Sequence, residues 1–198
     1  NGVYGMYTDW TYAFAWLGVT EIISDNADIG SSPSDTGSDK NLLDNLTFTS
    51  TATSVREVWR QWYKTIGRAS YSIAYTQAYG LEDQDYENRL VGEAKYLRAM
   101  TYFYLVRSYG AVPIQGDITI ENDQAMIDPA ADLSSRNSVE EVYEYIEQDL
   151  LDAIETLPLK SEYASEDLGR ATRGAAQALL AKVHLYQQDY DQALQYAN

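Results

Sequence analysis

The sequence predicts an all-α fold: amphipathic helices joined by long polar loops and grouped around one helix that is apolar on nearly every side. Three observations carry this. The stretch Gly92–Pro113, GEAKYLRAMTYFYLVRSYGAVP, is the longest apolar and aromatic run, and only Arg98 and Thr101 interrupt it between Tyr96 and Val106. A helix with so little polar surface is buried by neighbours on several sides. The flanking segments repeat their apolar residues every three to four positions, the period of a half-buried helix. The chain closes in Ala171–Asn198, which reads as a helix pair separated by Gln187-Gln188-Asp189.

Taken in order, Val3, Tyr7, Trp10, Phe14 and Leu17 make a helical stripe over about Gly2–Leu17, with Thr20–Ile23 as its apolar tail. Ser24–Ser54 is rich in Ser, Thr, Asp, Asn and Gly and has no period, so it is expected as a long surface loop. Within it, LLDNLTFTS reads as a short extended or 3₁₀ piece, and Asn45-Leu46-Thr47 matches the short acceptor pattern for N-glycosylation. A second helix is expected from Thr53 or Ser54 to Tyr79, with Ser54 and Glu57 as a capping box and Gly80 as its stop. Its apolar side runs through Val58, Trp62, Ile66, Ala69 and Ile73 to Tyr75 or Gln77, widened by Trp59, Tyr63 and Tyr71. The third helix starts near Asp83 or Asp85, carries the apolar run, and stops at Tyr109-Gly110 with Pro113 beyond. Ile114–Asn137 is expected to be irregular, since Pro129 and its polar neighbours prevent a long helix. Ser138 and Glu141 then open a fourth helix with the stripe Val139, Val142, Tyr143, Ile146, Leu150, Ile154 and Leu157, closed by Pro158. Leu159–Ala171 is another loop, and Thr172 caps a fifth helix.

Composition narrows the function. The chain has 198 residues, 45% of them hydrophobic, enough for one globular domain spanning 1–198. A net charge of −16 argues against a nucleic-acid partner and against direct binding to an anionic membrane surface. Without cysteine there is no disulfide, no thiolate chemistry and no Cys-ligated zinc. No apolar run reaches the ~18 residues of a spanning helix. The chain begins at Asn1 and ends at Asn198 within a helical pattern, as expected for a piece of a longer protein. The one histidine, His184, lies on the inner side of its helix and reads as a packing residue. No GxSxG, HExxH or phosphate-binding glycine loop is present, and thirty acidic residues make carboxylate pairs uninformative. Glu93 and Arg98 read as internal charge partners. Asp25, Asn26 and Asp28, with Asp35 and Asp39, are hard oxygen donors, but their spacing is not that of a calcium loop, and a solvated turn is the better reading. No metal or cofactor is expected.

The terminal segment ATRGAAQALLAKVHLYQQDYDQALQYAN resembles a tetratricopeptide unit: Leu180 and Ala181 stand at its Leu and small positions, His184 at its aromatic position, and Ala193 and Ala197 in its second helix. The apolar run itself resembles the central motif of the SusD/RagB family. VWRQWYKTIGRAS, with Trp59, Tyr63 and Ile66, resembles that family's Trp-x3-Tyr-x2-Ile helix, and Ser70 stands where the family often has asparagine. GRATRGAAQALLAKVHLY resembles its Arg-x-Thr-x-x-Ala-Ala helix through Arg170, Thr172, Ala175 and Ala176. The resemblance spans about Val3–Asn198. It implies a helical domain with tetratricopeptide-like helix pairs and long connecting loops, the N-terminal portion of a longer protein. It further implies a surface lipoprotein on the outer face of the outer membrane, anchored through a cysteine upstream of Asn1. Such a protein binds an oligosaccharide or other nutrient, serves a SusC-like TonB-dependent transporter and is not an enzyme. The rival expectation is a tetratricopeptide-type scaffold that binds another polypeptide.

Sugar binding needs an aromatic platform beside planar polar side chains. Asp39, Asn41 and Asn45 qualify by their place in the long loop. Trp62 is a candidate platform, although its helical position favours the core.

Overall fold

The computed structural model describes residues 1–30, 39–127 and 134–197. They gather into two compact units, Asn1–Lys64 and Thr65–Asn198, with the boundary inside a continuous helix. Apart from one two-stranded sheet, the described residues outside the loops are helical, so the fold is all-α.

In the first unit the N-terminal stripe is two pieces. Tyr4–Thr8 is 3₁₀ and α1 is Trp10–Leu17. Asp9 separates them because its carboxylate accepts the Tyr12 N–H at 3.1 Å and so starts a new helix. The chain then widens into a π turn over Gly18–Ile22. A Cβ at Gly18 would lie 3.0 Å from Leu43 and 3.3 Å from the Ser54 hydroxyl, so a side chain there would push Leu43 of α2, Lys40–Asp44, back by a few tenths of an ångström. Of LLDNLTFTS, expected as an extended or 3₁₀ piece, the first three residues, Leu42–Asp44, belong to this α-helix. Leu46 closes it in a left-handed conformation (φ 54°), and the Thr47 N–H returns to the Leu42 carbonyl at 2.8 Å.

α3 is Thr53–Tyr79. The expected Ser54–Glu57 capping box is not how it begins. Asp39, fifteen residues upstream, accepts both the Ser54 N–H (2.7 Å) and the Ser54 hydroxyl (2.8 Å), while Lys40 donates to that hydroxyl at 3.3 Å. Local spacing suggested a cap within the helix; tertiary contact supplied a better acceptor from α2. The stripe Val58, Trp62, Ile66, Ala69 and Ile73 is buried as expected.

The second unit is built on α4, Gln84–Tyr109. Asp83 caps it by accepting the Tyr86 N–H at 3.0 Å, and Gly110 ends it at φ 70°. Leu97, Arg98, Ala99, Thr101, Tyr102, Phe103, Leu105 and Val106 are all buried, which covers most of its circumference and leaves the line Tyr96, Met100 and Tyr104 half-buried. α5, Val139–Thr156, packs along it and has the expected Ser138–Glu141 capping box. Gly92 sets the closeness of that packing, because a Cβ there would overlap Thr156 and meet Leu157 at 3.2 Å. α6, Arg173–Tyr186, is capped by Thr172 and packs on α5; α7, Tyr190–Ala197, folds back on α6 as the tetratricopeptide-like second helix. His184 of α6 stacks on Tyr196 of α7 with centroids 5.7 Å apart, which ties the pair together.

The region expected to be irregular contains an antiparallel hairpin. β1, Ile118–Glu121, pairs with β2, Gln124–Ile127, in the register Ile118–Ile127 to Glu121–Gln124. Its two turn residues, Asn122 (φ 49°) and Asp123 (φ 60°), both adopt the left-handed conformation that a two-residue hairpin turn demands. Pro129, which prompted the irregular assignment, lies outside the described residues.

Candidate functional site

Among the described residues no helix is long and apolar enough to cross a membrane, and no group of three or more His, Asp or Glu is arranged to hold a metal ion. The acidic loop makes local turns instead: Asp28 accepts the Gly30 N–H at 3.2 Å and the Ser24 hydroxyl accepts the Asn26 N–H at 3.3 Å. Asp35 lies outside the described residues.

The four residues expected to contact sugar all fall in the first unit, where Trp62 packs in the core and Asp39 caps a helix. Trp62 has no accessible surface. Its indole N–H donates to the Tyr12 hydroxyl at 2.9 Å, and its ring meets Trp16 edge-on at 5.1 Å, so it presents no face to a ligand here. Asp39 caps α3. Replacing Asp39 with alanine is expected to cost about 0.5–2 kcal/mol, as loss of a helix cap does, read as a lowered denaturation midpoint. Asn41 is half-buried, and Asn45 is exposed with its amide donating to the Asn41 carbonyl at 2.7 Å.

Glu93 and Arg98 are internal charge partners, each with a different set. Arg98, 3% exposed, holds Asp149 through two bonds of 2.7 and 2.8 Å, donates to the Ser70 hydroxyl at 2.9 Å and reaches Asp117 at 3.2 Å. One guanidinium thereby ties α4 to α5, to the C-terminal half of α3 and to the loop before β1. Serine at position 70 accepts this bond without difficulty. Glu93 receives Arg170 at 2.9 Å and faces Arg89 at 3.4 Å, and both arginines close on Asp167. The Arg89 hydrogen bond, followed by that of Arg170, holds the Asp167 carboxyl below its ordinary range. These networks spend their charges on one another and fix the loop between α5 and α6.

The exposed aromatics offer a different surface. Tyr71, Tyr75 and Tyr79 are 41%, 40% and 59% exposed, although Tyr71 and Tyr75 were expected to join the buried side. Successive rings are near-parallel, with centroids 6.5 Å apart at 22° and 6.0 Å apart at 5°. Helix geometry explains the discrepancy. Two residues turn a helix by about 200°, so Tyr71 and Tyr75 stand opposite Ala69 and Ile73. The signal was in the sequence, as three tyrosines at intervals of four with Ser72, Thr76 and Gln77 between them. The Tyr79 hydroxyl donates to Asp123 at the hairpin turn, and this bond raises the phenol's pKa above its usual value. On α1, Trp10 is 79% exposed and stacks on Phe14 at 6.1 Å.

Residues 18–185 match the SusD-like family model described as starch-binding, associating with outer membrane. A SusD-like protein of Bacteroides ovatus is 35% identical over 130 residues, covering 64% of this chain and 21% of its own. One from Formosa agariphila is 30% identical over 198 residues, covering 100% of this chain and 37% of its own. The chain therefore spans well under half the length of these relatives. Among solved structures, a laminarin-binding SusD-like protein superposes with a TM-score of 0.72 at 26% identity, over 98% of this chain and 42% of its own.

Proposed function

This chain belongs to the SusD-like family, and from that membership we propose that it is part of a glycan-binding protein held by a lipid anchor on the outer face of the outer membrane. In this reading it captures an oligosaccharide and delivers it to a TonB-dependent transporter without catalysing any reaction. The carrying observation is the family match over residues 18–185, supported by the likeness to a laminarin-binding relative across nearly the whole chain. Physical chemistry is consistent with capture. Arg98, Glu93, Arg89 and Arg170 are engaged in internal ion pairs, and the helices form a scaffold that presents loops and aromatic side chains. Asn41 and Asn45, beside the capping Asp39, remain the first unit's candidates to meet sugar hydroxyls.

The intact protein, run by affinity electrophoresis against laminarin, xyloglucan and starch and then by calorimetry with the retained glycan, is expected to bind at least one of them saturably. Retention of none, together with saturable binding of a polypeptide, would transfer the chain to the rival reading of a tetratricopeptide-type scaffold.

A further inference from the structure

The row Tyr71, Tyr75 and Tyr79 has properties that packing alone does not require. Eight residues of helix make the row about 12 Å long, and each step of four residues turns it by only about 40°, so the three rings form one gently winding strip. Tyrosine supplies rigid, amphipathic contact area at low entropic cost. The ring farthest along the strip is held in place, because the Tyr79 hydroxyl donates to Asp123, which the left-handed turn between β1 and β2 presents. This bond orders the ring before any ligand arrives, and the exposed carboxylate brings further acceptor capacity to the strip's end.

Charge selects the occupant. α3 has no carboxylate from Val58 to Tyr79, within a chain of net charge −16. The side chains between the tyrosines are uncharged hydroxyls, an amide and alkyl groups. An anionic chain would be repelled by Asp123 and by the protein's overall charge, whereas an uncharged polyol can donate to that carboxylate. Three exposed rings in a line, each contributing little, favour a polymer that repeats a C–H face over a single small molecule.

We infer that Tyr71, Tyr75 and Tyr79, with Asp123 at the adjoining turn, form a stacking platform for an uncharged glycan chain. This rests on the glycan-binding reading above and gives it a place on the molecule. The test uses the intact protein with laminarin oligosaccharides, xyloglucan oligosaccharides and whichever glycan the electrophoretic panel retains. Calorimetry measures affinity, and saturation-transfer NMR reads contact with the tyrosine rings. The triple variant Tyr71→Ser, Tyr75→Ser, Tyr79→Ser is expected to bind at least about tenfold more weakly, a change of about 1.4 kcal/mol. The corresponding triple phenylalanine variant keeps the ring faces and should retain most of the affinity. Circular dichroism must show the same helix content in both variants. Wild-type affinity in the serine variant overturns the platform and leaves glycan binding standing elsewhere on the protein. Equal loss in the serine and phenylalanine variants overturns stacking as the mode. Failure of the wild-type protein to bind any of these glycans overturns both readings.

Discussion

Replacing Asp149 with alanine should destabilise the protein by about 3–5 kcal/mol, because it strands the Arg98 guanidinium in the interior without its counter-charge. Arg98 and Asp149 are each 3% exposed and are joined by two parallel bonds of 2.7 and 2.8 Å. The other anionic partner, Asp117, has a side chain 76% exposed, so water and salt screen it and it cannot take over. Replacing both partners with apolar residues of similar size, Arg98→Met with Asp149→Leu, should recover most of the loss, since the cost lies in the orphaned charge. Urea denaturation followed by far-UV circular dichroism measures both variants. A loss under about 1 kcal/mol for Asp149→Ala would mean that water reaches Arg98, and the pair would then be no more than a surface ion pair.

Trp62→Ala is the second large effect, expected at about 3–5 kcal/mol for truncating a buried tryptophan. Trp62 has no accessible surface, meets Trp16 edge-on and bonds to the Tyr12 hydroxyl, so truncation opens a cavity and removes a partner together. Trp62→Phe should fall between wild type and alanine, because it restores most of the ring and none of the bond. All four tryptophans lie at positions 10, 16, 59 and 62. Indole fluorescence therefore reports on Asn1–Lys64 alone, and the shift in midpoint should be read there. A Trp62→Ala variant that keeps its midpoint but loses glycan affinity would return Trp62 to the role of binding platform.

The helices of the second unit were legible because their signals are local. Asp83, Ser138 and Thr172 cap the helices that follow them, and Gly110 ends α4 at a positive φ. The stripe along α5 and the all-round apolar run of α4 announced which was half-buried and which enclosed. The hairpin left little trace, because its strands are only four residues long and carry little periodic signal beside Pro129. The Asn122-Asp123 pair between ITIE and QAMI was nevertheless a turn signal of the right kind. The start of α3 differs from expectation for another reason: Ser54 and Glu57 have the spacing of a capping box, but the cap from Asp39 on another element leaves no local pattern.

The candidate site shows the same division. Repetition at intervals of four puts Tyr71, Tyr75 and Tyr79 on one line of the helix and Trp62 on another, although Tyr71 and Tyr75 were expected on the Trp62 side. Which line would be enclosed depended on what packed against it. Trp62 became core because Tyr12 and Trp16 came to meet it, while the tyrosines kept 40–59% of their surface and gained Asp123 from a hairpin some forty residues away. Sequence by itself determined the helical class, most helix ends, the identity of α4 as the enclosed helix and the family, since propensity, capping and apolar period act within a few residues of one another. Tertiary structure alone decided that Asp39 caps α3, that Arg98 pairs with Asp149 and that the tyrosine row faces outward, because each joins groups distant along the chain whose energies exist only after burial removes water from between them.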